Sequence, residues 1–320
     1  GINAHLLVEE APERRAAPRA PSPARPARSL PPVSIVGMDA RFGSLMGLRA
    51  YQEAVFAGAE IEAAFAPERW WGLPAPAGFK GRFLREAGCD PSAFRIPPKE
   101  LEEMLPQQLL ALRSAAAAIA DAGLPEDGRD RVGVFLGVAF DLAITHYDFR
   151  WTLANKADDW AKAKGWSLSA VERTEWIAAL REAAGPALTA NRVMGGLASV
   201  AASRIAREFR FGGPSFTVSA EENSGLKALE AAVRCLQRGE VDAALAGAAD
   251  AAGDARALAG AHAAKPWSAP GRSRAFDAAG TGPTPGEGAA CVVLKRLDDA
   301  LRDGDRVYAV IKGLGSATGG

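Results

Sequence analysis

Residues 213–229 read GPSFTVSAEENSGLKAL, and this stretch constrains the fold more than any other part of the chain. A strand-like run, Ser215 to Val218, breaks at a turn of small and polar residues, and an apolar-periodic helix begins at about Ser224. Such a junction holds a reactive side chain at a helix N-terminus, where the aligned peptide dipoles stabilise negative charge. The surrounding pattern is of the same kind. Residues 33–38 (VSIVGM) read as a buried strand, followed by a helix over 48–56. Pro106 opens a long helix, PQQLLALRSAAAAIADAG, with proline in its first turn and Gly123 at its end. Residues 132–138 (VGVFLGV) form a continuous apolar run, as in sheets covered on both faces. A second amphipathic helix is expected over 191–209, and the junction helix runs to about Gln237. Strands follow at 242–248, 289–294 and 307–314. Alternating strands and helices predict an α/β fold with a mixed or parallel sheet. Residues 151–185, charged and Trp-bearing, have helical tendency and read as a lid or an insertion.

Composition removes several function classes. The 320 residues carry 38 basic and 38 acidic side chains, which argues against nucleic acid or an anionic membrane as the main partner. No apolar run reaches the roughly 20 residues that span a bilayer, and no secretory signal opens the sequence. Three widely spaced cysteines (Cys89, Cys235, Cys291) point to a reducing compartment, so a cytoplasmic protein is expected. The three histidines (His5, His146, His262) lack metal-ligand spacing, and no metal or cofactor of its own is expected. Residues 1–10 (GINAHLLVEE) read as a short strand. Residues 11–32 are almost entirely Ala, Pro, Arg and Ser, the composition of an extended linker.

The 213–229 stretch resembles the active-site elbow of the β-ketoacyl synthases, GPS-x-x-V-Asp-Thr-Ala-Cys-Ser-Ser-Ser-Leu. Gly213, Pro214, Ser215, Val218, Ser224 and Leu226 fall in register, and Glu222 occupies the position of the nucleophilic Cys. SIVGMDARFG resembles the family's opening strand and loop. PQQLLALRSAAAAIADAG resembles its long helix, and RAFDAAGTGPTPGEGAACVVLKRLDDALRDGDRVYAVIKG resembles its FD…GEGAG…LKRL…GD stretch. Together these cover residues 32–320. SAEENS without a cysteine, and RIPPKELEEMLPQQLLAL, resemble the chain-length-factor domain of multidomain polyunsaturated fatty acid synthases.

The resemblance implies a thiolase-like, layered αβαβα fold of two similar halves. It also implies an organisation: residues 1–10 as the tail of a preceding ketosynthase, 11–32 as linker, and 33–320 as a ketosynthase-like domain that stops within its second half. The expected partners are an active ketosynthase domain in a pseudo-dimer, a phosphopantetheinylated acyl carrier protein and acyl or malonyl thioesters, with Val218 and Leu226 near the dimer face. In that reading the domain bounds the cavity for the growing acyl chain. The alternative is an acyltransferase-class domain that condenses or decarboxylates malonyl-carrier-protein substrates, as a 3-oxoacyl-carrier-protein synthase does. Three roles are open to Glu222: a relic that caps the helix, a wall of an interface channel, or an aid to decarboxylation, as where Gln replaces Cys in loading ketosynthases. Glu221 and Asn223 read as turn or capping residues. His146 and His262 read as packing residues, His5 as structural, and Cys235 and Cys291 as inert small hydrophobes. Gly280, Gly282, Gly286 and Gly288 read as a turn passing the elbow rather than a phosphate cradle. Arg272 and Arg274 are weighed between carrier phosphate and a solvated loop, with the loop preferred.

Overall fold

The computed structural model of the protein describes residues 30–70, 72–84, 88–138, 146–251, 253–268, 271–275 and 277–316. The expected preceding-domain tail (1–10) and all but the last three residues of the linker lie outside the described residues.

Seven strands form one mixed sheet. They are β1 (Val33–Phe42), β2 (Leu45–Met46), β3 (Val132–Val138), β4 (Ser215–Val218), β5 (Ala243–Asp250), β6 (Gly288–Arg296) and β7 (Ala309–Ile311). The spatial order is β4-β3-β5-β6-β1, with β2 and β7 both on β1. β3 runs parallel to β4 and β5, while β5–β6 and β6–β1 are antiparallel. The helices are α1 (Leu48–Phe56), α2 (Pro98–Glu102), α3 (Pro106–Ala122), α4 (His146–Lys164), α5 (Ala170–Ala184), α6 (Ala190–Gly196), α7 (Ala198–Phe209), α8 (Ser224–Gln237), α9 (Ala255–Ala264) and α10 (Leu297–Asp303).

All seven residues of β3 are buried, and successive side chains enter different cores. Val134 and Leu136 join the cluster built with α3 and α7, whereas Phe135 joins Ala228, Ala232 and Leu236 of α8. The sheet is therefore covered on both faces, as the VGVFLGV run predicted. Helix layers on both sides of a mixed sheet match the expected thiolase-like α/β architecture.

The long helix α3 forms where its local signals put it. Pro106 sits in its first turn, a Leu/Ala-rich body follows, and Gly123 closes it at φ 61°. It crosses β1 at Gly37, where a Cβ would lie 2.5 Å from the Ala122 Cβ. Asp121 in its last turn fastens that crossing. One carboxylate oxygen accepts from Met38 N (3.0 Å), and the other accepts from Tyr308 OH (3.0 Å) and Arg306 Nη2 (2.7 Å). Burial, and then the bond to the Asp121 carboxylate, raise the Tyr308 phenol above its ordinary value. A group with a raised folded value stabilises the fold below its unfolded value and loses that contribution as pH rises through the folded value. Stability is therefore expected to fall on going above pH about 10. Tyr308→Phe should flatten that fall and cost about 1 kcal/mol at neutral pH, as read by denaturant titrations across pH.

Three expectations change, the first being the strand expected at 307–314, which is confined to Ala309–Ile311 where it pairs with Val33–Ile35 of β1. The helix expected over 191–209 is two helices, broken at Leu197. Gly195 passes so close to α2 that a Cβ would lie 2.6 Å from Glu103 O. The carbonyls freed at the break, Met194 O and Leu197 O, accept from Gln108 Nε2 at 3.2 and 2.9 Å. The strand expected at 242–248 runs two residues further, to Asp250, because β6 extends to Gly288 beside it. Residues 151–185 fall within α4 and α5 and the turn between them, a helical hairpin.

Candidate functional site

The parallel strands β3, β4 and β5 end on the same side of the sheet, and β4 hands the chain directly to the elbow. Residues 221–223 make a single 3-10 turn before α8 begins at Ser224. Glu221 adopts φ 50°, a left-handed conformation that a side chain enters only at a cost of about 1 kcal/mol or more. Ser224 holds it there. Its buried hydroxyl donates to Glu221 O (2.6 Å) and accepts from Ala220 N (2.9 Å). The start of α8 then rests directly on β3, because Gly137 presents no Cβ to it.

A cavity of about 420 Å³ opens in front of this junction. Its floor is made of small residues: Gly137, Gly225, Ala248, Ala249, Gly288 and Ala290. Its charged lining comprises Glu221, Glu222, Asp250, Glu287 and Arg82. The Glu222 side chain is 83% exposed, with Lys265 Nζ 3.9 Å away. An ion pair that open to solvent contributes little. Glu287 is the opposite case. It is buried, it meets the Arg69 guanidinium at 2.5 and 2.8 Å, and it accepts from Leu84 N at 2.9 Å. Its backbone exchanges hydrogen bonds with Arg82 O and Gly43 N, both 3.0 Å, which closes one side of the cavity.

The glycines of the 280–288 stretch divide. Gly286 and Gly288 line the cavity, as expected of a turn passing the elbow. Gly280 and Gly282 belong to a separate loop, clasped by Ser268 Oγ on Arg272 O and Thr281. No described cysteine or histidine lines the cavity. Cys291 is buried in β6, and burial pushes its thiol up to about 12. Cys235 on α8 is pushed up to about 11 by burial and by Glu240, and burial also raises Cys89. His262 Nδ1 accepts from Trp267 N (3.1 Å), a packing role. His146 starts α4 and its side chain lies outside the described residues, as does His5. Arg272 pairs with Glu60 (2.5 Å) and Arg274 with Asp277 (3.6 Å), both on the exposed surface. Val218 packs inward against the α8 cluster, while Leu226 and Phe216 are 63% and 42% exposed. β4 pairs with β3 alone among the described strands, so its other edge is open.

Sequence reasoning placed Glu222 at the elbow but missed Arg69, Arg82 and Glu287. Only the GEG of 286–288 carried a signal for the last of these. No described helix is long and apolar enough to cross a membrane.

Residues 31–300 match the family described as "Beta-ketoacyl synthase, N-terminal domain". The spectinabilin polyketide synthase system protein NorA' of Streptomyces orinoci is 34% identical over 318 residues, covering 98% of this chain and 8% of that protein. A polyunsaturated fatty acid synthase protein of Thraustochytrium sp. is 28% identical over 290 residues, covering 87% of this chain and 13% of that protein. The chain thus spans a small part of the length of these relatives. Among solved structures, the PfaC keto synthase-chain length factor superposes with a TM-score of 0.76 at 26% identity, covering 89% of this chain and 31% of that one. The ketosynthase from module 6 of the bacillaene synthase of Bacillus subtilis 168 gives a TM-score of 0.65 at 25% identity, covering 88% and 42%. The family match over residues 31–300 and the 34% identity across nearly the whole chain make this chain a member of the β-ketoacyl synthase family.

Proposed function

We propose that this chain is a chain-length-factor domain of a polyketide- or polyunsaturated-fatty-acid-type synthase, paired with an active ketosynthase and bounding the cavity in which the carrier-bound acyl chain grows. One observation supports the reading: the elbow presents the exposed Glu222 carboxylate, at the position where the sequence resemblance puts the family's thiol, and no described cysteine or histidine faces the cavity. Covalent acyl transfer needs an activated nucleophile. An acyl group on Glu222 would be a mixed anhydride, which water hydrolyses. The Ser224 hydroxyl is already committed to two backbone partners.

The open edge of β4, with Phe216 and Leu226 exposed beside it, is the surface assigned to the partner ketosynthase. The PfaC keto synthase-chain length factor supports that pairing by its similarity. The phosphopantetheine belongs to the carrier protein, and residues 1–10 with the 11–32 linker are assigned to the join with a preceding ketosynthase.

The test is Glu222→Ala in the intact parent synthase, with assembly checked by size-exclusion chromatography. Product yield should stay within about twofold of wild type. A shift in chain length at constant yield would place Glu222 on the cavity wall and keep the proposal. Loss of product from a fully assembled synthase would overturn it in favour of the decarboxylating reading.

A further inference from the structure

The α4–α5 hairpin takes no part in the elbow. Its two helices pack on each other far more than on any other element. Leu153, Ala157 and Ile177 are buried in its stem, and Arg150 fastens the base by donating to the carbonyls of Arg181 and Gly185. Higher up, Arg173 pairs with Asp158 through two bonds of 2.5 and 2.7 Å across the hairpin.

The tip beyond that pair is held in shape. Gly165, at φ 69°, donates to Lys162 O (3.1 Å) and Trp166 N donates to Ala161 O (2.9 Å), the paired bonds that terminate a helix in a left-handed residue. Ser169 and Glu172 cap the next helix reciprocally. Trp166 sets its edge against Trp176 at 5.5 Å. From Asp158 to Glu172 every residue except Ala161 is exposed. Trp160, Trp166 and Leu168 stand in solvent, and Val171 is 66% exposed. No acidic residue occurs between Asp159 and Glu172, whereas Lys162 and Lys164 do, with no ion-pair partner among the described residues. Trp160 and Lys164 are four apart on one helix, hence on one face.

We propose that this tip, residues 160–171, docks the protein on the surface of an anionic lipid bilayer. Tryptophan and aliphatic side chains gain by entering the boundary between headgroups and acyl chains, and lysines beside them gain from anionic headgroups. A protein interface would use the same apolar groups, but lysine is depleted from the centres of such interfaces. The balanced charge of the chain argues against a membrane as the main partner of its whole surface, and the contact proposed is local to the tip. The attraction acts within a Debye length, about 8 Å at physiological salt, and the flanking Asp158 and Asp159 are paired with Arg173 and Lys156. The inference is independent of the role assigned to the elbow.

The test is vesicle flotation of the full chain with pure phosphatidylcholine, and with phosphatidylcholine containing about 30 mol% phosphatidylglycerol. The wild type should float with the anionic vesicles, weakly with the neutral ones, and less as salt is raised. Lys162→Glu/Lys164→Glu should lower partition roughly tenfold or more, since each lysine near such a surface adds measurably to binding. Val171→Ser, at an exposed position, should lower it further without changing the thermal melt. No flotation of the wild type overturns the proposal. So does equal flotation of wild type and both variants, or equal flotation on neutral and anionic vesicles.

Discussion

Gly137→Ala is expected to lower stability by about 3 kcal/mol, although it adds one methyl group. The added Cβ would lie 2.5 Å from both Gly225 N and Ser224 C, and 2.7 Å from Ser224 O. These are backbone atoms, so no rotamer change relieves the clash. The start of α8 must lift from β3. That helix buries Ala228, Ala232, Val233 and Leu236 against the sheet, so lifting one end opens a packed apolar layer. It also displaces Ser224, whose hydroxyl holds the left-handed Glu221. Two other glycines calibrate the measurement. Gly225→Ala meets only the Ala248 Cβ, at 3.0 Å, and should cost less than half as much. Gly260→Ala, in α9 with nothing within 4 Å, should stabilise by roughly 0.5–1 kcal/mol through helix propensity. Urea midpoints at constant m-value report all three. An unchanged midpoint for Gly137→Ala would remove the close approach as the basis of the elbow.

Elements with local punctuation were legible in the sequence. Pro106 and Gly123 delimit α3, and the strand, turn and helix of 215–237 have the bounds that pattern and motif register assigned. Glu222 was placed at the elbow for the same reason, because register alone decides it. The break at Leu197 was not legible. It depends on Gly195 touching α2 and on Gln108 reaching carbonyls 86 and 89 residues away, contacts that no local window contains. Residues 60–104 show little periodicity, and the described ones among them form short turns and one five-residue helix. Arg69 and Arg82 therefore gave no sign that they approach the cavity. The left-handed turn at Glu221 was hidden by its residue type, since glycine or asparagine usually marks that conformation.

The Arg69–Glu287 pair, joining residues 218 apart, is expected to yield the second large effect. Glu287→Leu should cost about 3 kcal/mol, because it strands a guanidinium and the Leu84 N–H that the carboxylate had satisfied. Arg69 is 22% exposed and recovers some hydration, which keeps the loss at the low end of the range for breaking a buried pair. Arg69→Met alone should be comparably harmful, since it removes the guanidinium bonded to a carboxylate that is 4% exposed. The double variant Arg69→Met/Glu287→Leu should recover most of the loss. Neither charge then remains to be desolvated, and Met can pack on the Phe83 ring, over which the guanidinium carbon lies at 4.5 Å. A coupling energy of about 4 kcal/mol, as those losses imply, would show that the pair acts as a unit at this wall of the cavity. Strictly additive losses would mean that the backbone bonds between Arg82 and residues 285–287 hold that wall without it.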